Sequence, residues 1–282
     1  MNPANLRALL SEAGILAAPG AADALTARLV EDAGFEAVYA SGAGIANAQF
    51  AMPDIGLVTL TEMVDAIRRM VEAVSIPLIA DADTGYGAVR NVIRTVELYE
   101  ALGVAALQVE DQVTPKVCGH FSGKEVIPAD EMVRKIEAAV RARNEMLIIA
   151  RTDCLDTHGF DEAVRRGNLF AGAGADLVLV EAPTTRDQVA ALPEKIAAPL
   201  VFNMTEGSKV PMMAHDELAG LGYKMVIHPS LTVRIAARAV QSALAVLQKT
   251  HSSELLVSAM LDWDERQRLT RMEKWEALDR EL

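Results

Sequence analysis

Along the chain, short runs of Val, Ile, Leu and Ala without polar alternation exchange with longer stretches in which apolar residues recur at helical spacing. The exchange continues from near residue 15 to near residue 250. Uninterrupted apolar runs mark strands covered on both faces, as parallel strands are. Eight are present: Ile15 to Pro19, Glu36 to Ser41, Pro77 to Asp81, Ala105 to Glu110, Met146 to Arg151, Leu177 to Glu181, Leu200 to Asn203 and Met225 to His228. The segments between them carry helix signals. Thr59 followed three residues later by Glu62 has the form of a capping box. Pro128 opens a pattern with acids in its first turn and arginines in its last, which matches the helix dipole. The glycine-rich Ala171 to Ala175 closes another helix.

Eight consecutive βα units with no low-complexity linker predict an α/β protein, a (β/α)8 TIM barrel rather than an open doubly wound sheet. The pattern assigns residues 1–250 to the barrel and 251–282 to a charged, helix-prone tail that holds both tryptophans, Trp263 and Trp275. With Leu and Met near helical spacing around them, the tail is a candidate for packing against another subunit.

Composition narrows the setting. About half the residues are hydrophobic (51%), yet no apolar run reaches the ~18 residues of a membrane span. The first twenty residues lack a basic segment followed by an apolar core and a cleavage site, so a cytoplasmic address is expected. Two cysteines, Cys118 and Cys154, cannot build a disulfide framework. A net charge of −12 argues against nucleic acid or an anionic membrane as partner. Small anionic carboxylates remain as substrates, provided that cations are gathered locally.

In a barrel of this kind the chemistry lies at the C-terminal strand ends. There the sequence places Ser41 and Gly42, Asp81 and Asp83, Glu110 and Asp111, Arg151 and Asp153, Glu181, then Asn203, Thr205 and Glu206. Asp, Asn and Ser at such points commonly cap the next helix. Asp81, Asp83 and Glu110 would nevertheless converge on one space, and their repulsion calls for a cation. Carboxylates without a His and Cys cluster suit Mg²⁺, or Mn²⁺, better than Zn²⁺. Arg151 offers a planar fork to a substrate carboxylate, and backbone N–H groups around Ser41 to Gly44 can hold a further oxygen.

The loop after the fourth strand, EDQVTPKVCGHFSGKEVIP, sets Cys118 between Lys116 and His120. Basic neighbours lower a thiol's pKa or share its proton, so Cys118 is placed to exchange a proton with substrate. Gly119 and Gly123 would let the loop move. Cys154 lacks such flanks and reads as a packing residue. His158, His215 and His251 receive no catalytic part.

Taken in order, SGAG, MPDIG, DADTGYG, VEDQ, KVCGH, ARTD, VEAP and NMTE resemble the isocitrate lyase and phosphoenolpyruvate mutase superfamily, most of all its short 2-methylisocitrate lyase branch. The resemblance covers roughly Leu16 to Leu247. It implies a barrel whose eighth helix swaps between subunits, a dimer of dimers, Mg²⁺, and an α-keto or α-hydroxy acid substrate. It further implies Asp81 and Asp83 at the metal, with Asp54 and Glu110 in its water shell, and Cys118 as proton donor. Ser41, Gly42, Gly119, His120, Arg151, Glu181, Asn203, Thr205 and Arg234 would surround the substrate, Arg234 matching an arginine that binds the succinate-like half in lyases. Val117 departs from the pattern, since such lyases usually carry a second basic residue there.

The reaction expected is therefore Mg²⁺-dependent cleavage of a carbon–carbon bond in a 2-hydroxy di- or tricarboxylate, with Glu181 or Tyr39 as candidate base. Decarboxylation or hydrolysis of oxaloacetate-like compounds, a carboxyphosphonoenolpyruvate mutase-like activity, and a non-catalytic barrel scaffold are the alternatives.

Overall fold

The computed structural model describes residues 3–119 and 123–281. Eight strands, β1 (Leu16–Ala21), β2 (Val38–Ala40), β3 (Leu78–Asp81), β4 (Ala106–Glu110), β5 (Leu147–Thr152), β6 (Leu177–Val180), β7 (Leu200–Asn203) and β8 (Tyr223–His228), close in chain order into a barrel. Every neighbouring pair is parallel, and β8 returns to β1 with Met225 beside Leu16. Each strand lies within two residues of its apolar run. The (β/α)8 barrel expected from the alternation is thus the fold.

Two apolar clusters hold it. Side chains alternate along a strand, so Tyr39, Ile79, Ala106, Leu147, Ile149, Leu177, Leu179, Val201, Met225 and Ile227 fill the barrel, with Leu6 of the first helix packed against them. The other alternate set, including Val38, Leu78, Leu107, Ile148 and Val178, packs outward against the helices. The helix Leu60–Ala73 shows how those helices are specified: Thr59 and Glu62 form the capping box, with the Thr59 N–H donating to Glu62 at 2.8 Å. It buries Met63, Ala66, Ile67, Met70 and Ala73, one stripe at helical spacing.

Along the inward face, apolar residues give way to polar ones towards the C-terminal strand ends. Ile79 is followed by Asp81, Ala106 by Gln108 and Glu110, Ile149 by Arg151 and Asp153, Leu179 by Glu181 and Val201 by Asn203. Strand register sets Glu110 opposite Arg151 and Asp81 opposite Gln108. Period two turns these residues inward, and their order along each strand puts a dry plug below and a charged rim above.

The chain divides into two compact units, Met1–Leu231 and Thr232–Leu282; the sequence pattern puts the division after Thr250 instead. The second unit holds nearly all of the helix Leu231–Thr250, a 3₁₀ turn Glu254–Ala259, and the helices Trp263–Leu269 and Met272–Glu281. The twenty-residue helix buries none of its side chains, leaving Ile235, Val240, Leu244 and Leu247 exposed. Trp263 and Trp275 are exposed as well, each beneath a cation, Arg266 and Lys274 respectively. Among the described residues no helix is long and apolar enough to cross a membrane.

Candidate active site

The strand ends and the loops that follow them enclose one cavity at the barrel mouth. Its lining includes Ser41, Asp54, Asp81, Lys116, Cys118, Gly119, Arg151, Asn203 and Thr205. The cavity brings together residues up to 191 positions apart, from Tyr39 to Ser230. His120 lies outside the described residues. Arg234 belongs to the second unit, on the helix Leu231–Thr250.

The acidic wall comes first. Asp81 ends β3, and its Oδ2 accepts from the Gly42 N–H at 3.2 Å while its Oδ1 accepts from the Asp83 N–H at 3.1 Å. A Cβ on Gly42 would stand 2.8 Å from Asp81 Oδ2, so glycine permits this approach. The N–H expected to hold a substrate oxygen is thus turned to Asp81. Ser41 keeps both readings open to it, since its Oγ caps the helix Gly42–Phe50 through the Gly44 N–H at 3.0 Å and also lines the cavity. Asp83 has a left-handed backbone, φ 45°, a conformation that Asp accepts more readily than most residues and that tends to mark working sites.

Lys116 answers this wall. Its ammonium lies 2.7 Å from Asp83 Oδ1 and pairs with Asp54. Burial opposes its charge, but Asp83, Glu110, Asp54 and Asp81 outweigh burial and hold the amine protonated well above the ordinary lysine range. Lys116, which flanks Cys118 in sequence, thus has carboxylates as its ion-pair partners. Burial, then Asp83, pushes Asp81 up to about 6, and burial drives Glu110 well above the usual carboxylate range.

The second wall is built on Arg151. Its Nε and Nη2 donate to Asp153 at 2.8 and 2.9 Å, a bidentate pair, while Nη1 lies 3.3 Å from Glu110 and Nε 3.3 Å from Glu181. One edge of the guanidinium is consequently taken by Asp153, and the planar fork is not wholly open to a substrate as expected from sequence. Asn203 donates to both oxygens of Glu181 at 3.1 and 3.0 Å and accepts from Thr205 at 3.1 Å. Asp153 is itself anchored, its N–H donating to Asp111 at 2.9 Å. Asp111 faces outward to Thr152 Oγ1 (2.7 Å) and Arg166 (2.8 Å).

Between the walls runs the cysteine loop. Gln112 clamps it at both backbone groups of Val117, at 2.9 and 3.0 Å, and Val113 and Ile127 close its base in an antiparallel ladder with Glu125 and Asp111. Cys118 is half-buried and not in a disulfide, whereas Cys154 is buried, its thiol pushed up to about 11 by desolvation. A Cβ on Gly119 would fall 2.1 Å from Arg151 Nη2, 2.8 Å from Glu181 and 3.0 Å from Asp153. A side chain there would have to displace the Arg151 guanidinium, so glycine permits this approach, and Cys118 just before it lines the same cavity as Arg151. Tyr39 faces inward and lines the cavity; burial, then Asp81, raises its pKa well above the ordinary value.

The mouth also holds residues that strand-end reasoning missed. Pro229 and Ser230, past β8, line the cavity. Glu206, already expected at the strand end, binds His228 Nδ1 at 2.7 Å, and His228 Nε2 meets His215 Nε2 at 3.0 Å, tying the end of β8 to the segment after β7. Lys124, inside the loop, is buried, and a lone lysine after glycine carries no sequence signal for such a place.

Does a divalent cation fit? Asp54, Asp81, Asp83, Glu110, Asp153 and Glu181 face Lys116, Arg151 and Lys124, so carboxyls outnumber cations. Glu110 Oε1 is buried without a hydrogen-bond partner. Mg²⁺ takes one or two carboxylates and keeps several waters, so it does not need a closed cage of protein ligands. An all-oxygen donor set with a surplus of negative charge fits it.

The chain is similar to known proteins over most of its length. The phosphoenolpyruvate phosphomutase family profile matches residues 6–248. The chain is 41% identical over 273 residues to a 2,3-dimethylmalate lyase of Eubacterium barkeri, covering 96% of this chain and 94% of that one. It is 43% identical over 252 residues to a 2-methylisocitrate lyase of Aeropyrum pernix, covering 89% and 82%. A crystal structure of phosphonopyruvate hydrolase in complex with oxalate and Mg²⁺ superposes with a TM-score of 0.90 at 31% identity, covering 99% of this chain and 98% of that one.

Proposed function

Because the chain belongs to the phosphoenolpyruvate phosphomutase family, within the isocitrate lyase and phosphoenolpyruvate mutase superfamily, we propose that its barrel mouth cleaves a carbon–carbon bond in a 2-hydroxy di- or tricarboxylate. The lyases at 41 and 43% identity make it an enzyme of the carbon–carbon lyase kind. The observation that carries the reading is the seat of Gly119 against Arg151, Glu181 and Asp153, which sets a thiol beside a fixed cation at the mouth of an acidic pocket.

Asp81 and Asp83, with Asp54 and Glu110 nearby, would hold Mg²⁺. The ion, when bound, draws charge from the oxygens of the keto-acid half. Arg151, oriented by Asp153, binds a substrate carboxylate. Glu181, fixed by Asn203 and Arg151, accepts the hydroxyl proton; the O–H electrons become the new carbonyl, and the carbon–carbon bond electrons pass to the departing fragment. Cys118 gives its thiol proton to that carbanion as general acid, leaving an α-keto acid and a succinate-like acid. Lys116 offsets charge on the acidic wall. Ser41 and Thr205, which line the same cavity, complete the substrate's surroundings.

Product analysis with 2-methylisocitrate, 2,3-dimethylmalate and oxaloacetate, with Mg²⁺ present and removed, tests the reading. Cleavage of at least one hydroxy acid to an α-keto acid only with Mg²⁺ is expected. Turnover of oxaloacetate alone would replace the lyase by a decarboxylase or hydrolase, and no turnover of any of the three would reject it.

The exposed apolar residues of the helix Leu231–Thr250 and the two tryptophans fit burial between subunits. A homo-oligomer stabilised by residues 251–282 is the assembly this supports; the dimer of dimers with an exchanged helix is what the resemblance to the superfamily implies. Deleting everything after Thr250 is expected to lower the mass seen by light scattering or the melting temperature. If both stay unchanged, the tail is a solvated helix.

A further inference from the structure

Lys124 sits inside the cysteine loop, directly after Gly123, whose φ of +87° turns the chain inward. Its side chain is 1% exposed. A buried ammonium is costly unless its charge and donors are met, and this one meets three groups on three segments. It donates to the Gly119 carbonyl, lies 3.3 Å from Asp156 on the short helix Leu155–His158, and stands 3.7 Å from Asp153 just past β5.

The Asp153 contact matters most, because that same carboxylate grips Arg151 through two hydrogen bonds at 2.8 and 2.9 Å. Lys124 and Arg151 thus share one anchor, which is itself held from beneath by Asp111. The carbonyl of Gly119, one peptide away from Cys118, is fixed to the group that orients the substrate-facing arginine. The base of the loop is held separately, by Gln112 and the ladder of Val113 and Ile127. Removing the amine therefore leaves the base intact and Asp153 still paired with Arg151.

We propose that Lys124 is a positioning residue that seats Cys118 beside Arg151 by tying the Gly119 carbonyl to Asp153 and Asp156. The inference rests on Cys118 being the proton donor for its catalytic meaning, but the seat itself can be measured without turnover.

Lys124→Met is compared with the unaltered chain by alkylation of Cys118 with iodoacetamide, by steady-state kinetics and by melting temperature. Cys154, buried with its thiol pushed up to about 11, stays silent. Loss of one charge-assisted hydrogen bond is expected to release the seat and speed alkylation roughly ten- to a hundred-fold. Misplacing a reacting group by about 1 Å costs on the order of a hundred-fold, so kcat falls on that scale while KM moves only a few-fold.

Asp156→Asn, a milder change at a half-exposed partner, is expected to move both readouts in the same directions by a few-fold, and it serves if the methionine variant does not fold. Alkylation within two-fold of the native rate in the folded variants overturns the proposal, even where kcat has dropped. Should Cys118→Ser leave turnover intact, the proton-donor reading fails, yet the alkylation rates still decide whether Lys124 sets the position of Cys118.

Discussion

Cys118→Ser is expected to lower kcat by about 10²–10⁴, the range over which a general acid contributes. A serine hydroxyl is much less acidic than a thiol and cannot deliver its proton to a carbanion at a comparable rate. Substrate affinity should change little, because the binding groups stay in place: Arg151 keeps its two bonds to Asp153, and Glu181 keeps both from Asn203. Steady-state kinetics on whichever hydroxy acid is cleaved checks this. Turnover surviving within a few-fold would remove Cys118 as the acid and favour chemistry on a small oxaloacetate-like substrate, in which water protonates the product.

Asp83→Ala is expected to abolish Mg²⁺-dependent turnover, a loss of at least about 10³-fold, since a metal supplies several kcal/mol of charge stabilisation and each ~1.4 kcal/mol is tenfold in rate. The backbone at this residue is left-handed, φ 45°, which alanine tolerates less well than asparagine. Asp83→Asn measured alongside separates the two effects: it preserves the backbone and removes the charge. Both variants should lose turnover, with the asparagine protein melting close to the unaltered chain. Activity of either variant comparable to the parent, or undiminished activity in EDTA, would end the magnesium assignment.

Much of the barrel was legible in the residues because its cause is local. A strand covered on both faces must be apolar throughout, so each of the eight runs announces itself, and Thr59 with Glu62 marks a helix start through bonds made within one turn. The concentration of Asp, Glu, Asn and Arg at strand ends was legible for the same reason. Charged groups are excluded from the plug and must follow it.

What those groups do to one another was decided only when the strands closed. Glu110 and Asp111 are neighbours in sequence, yet one faces inward to Arg151 and the other outward to Arg166, because side chains alternate across a strand. Gly42 turned out to serve Asp81, 39 residues away, and Lys116 to serve Asp54, 62 residues away. Asp153, read as one more polar strand end, became the shared anchor of Arg151 and Lys124, and Lys124 carried no signal at all. Sequence alone determined the barrel and the ring of polar residues at its mouth, because burial and helix capping are settled by near neighbours. The pairing of charges belonged to the tertiary structure, because electrostatic energy depends on distance and burial, and both are fixed only by the packing of segments far apart in the chain.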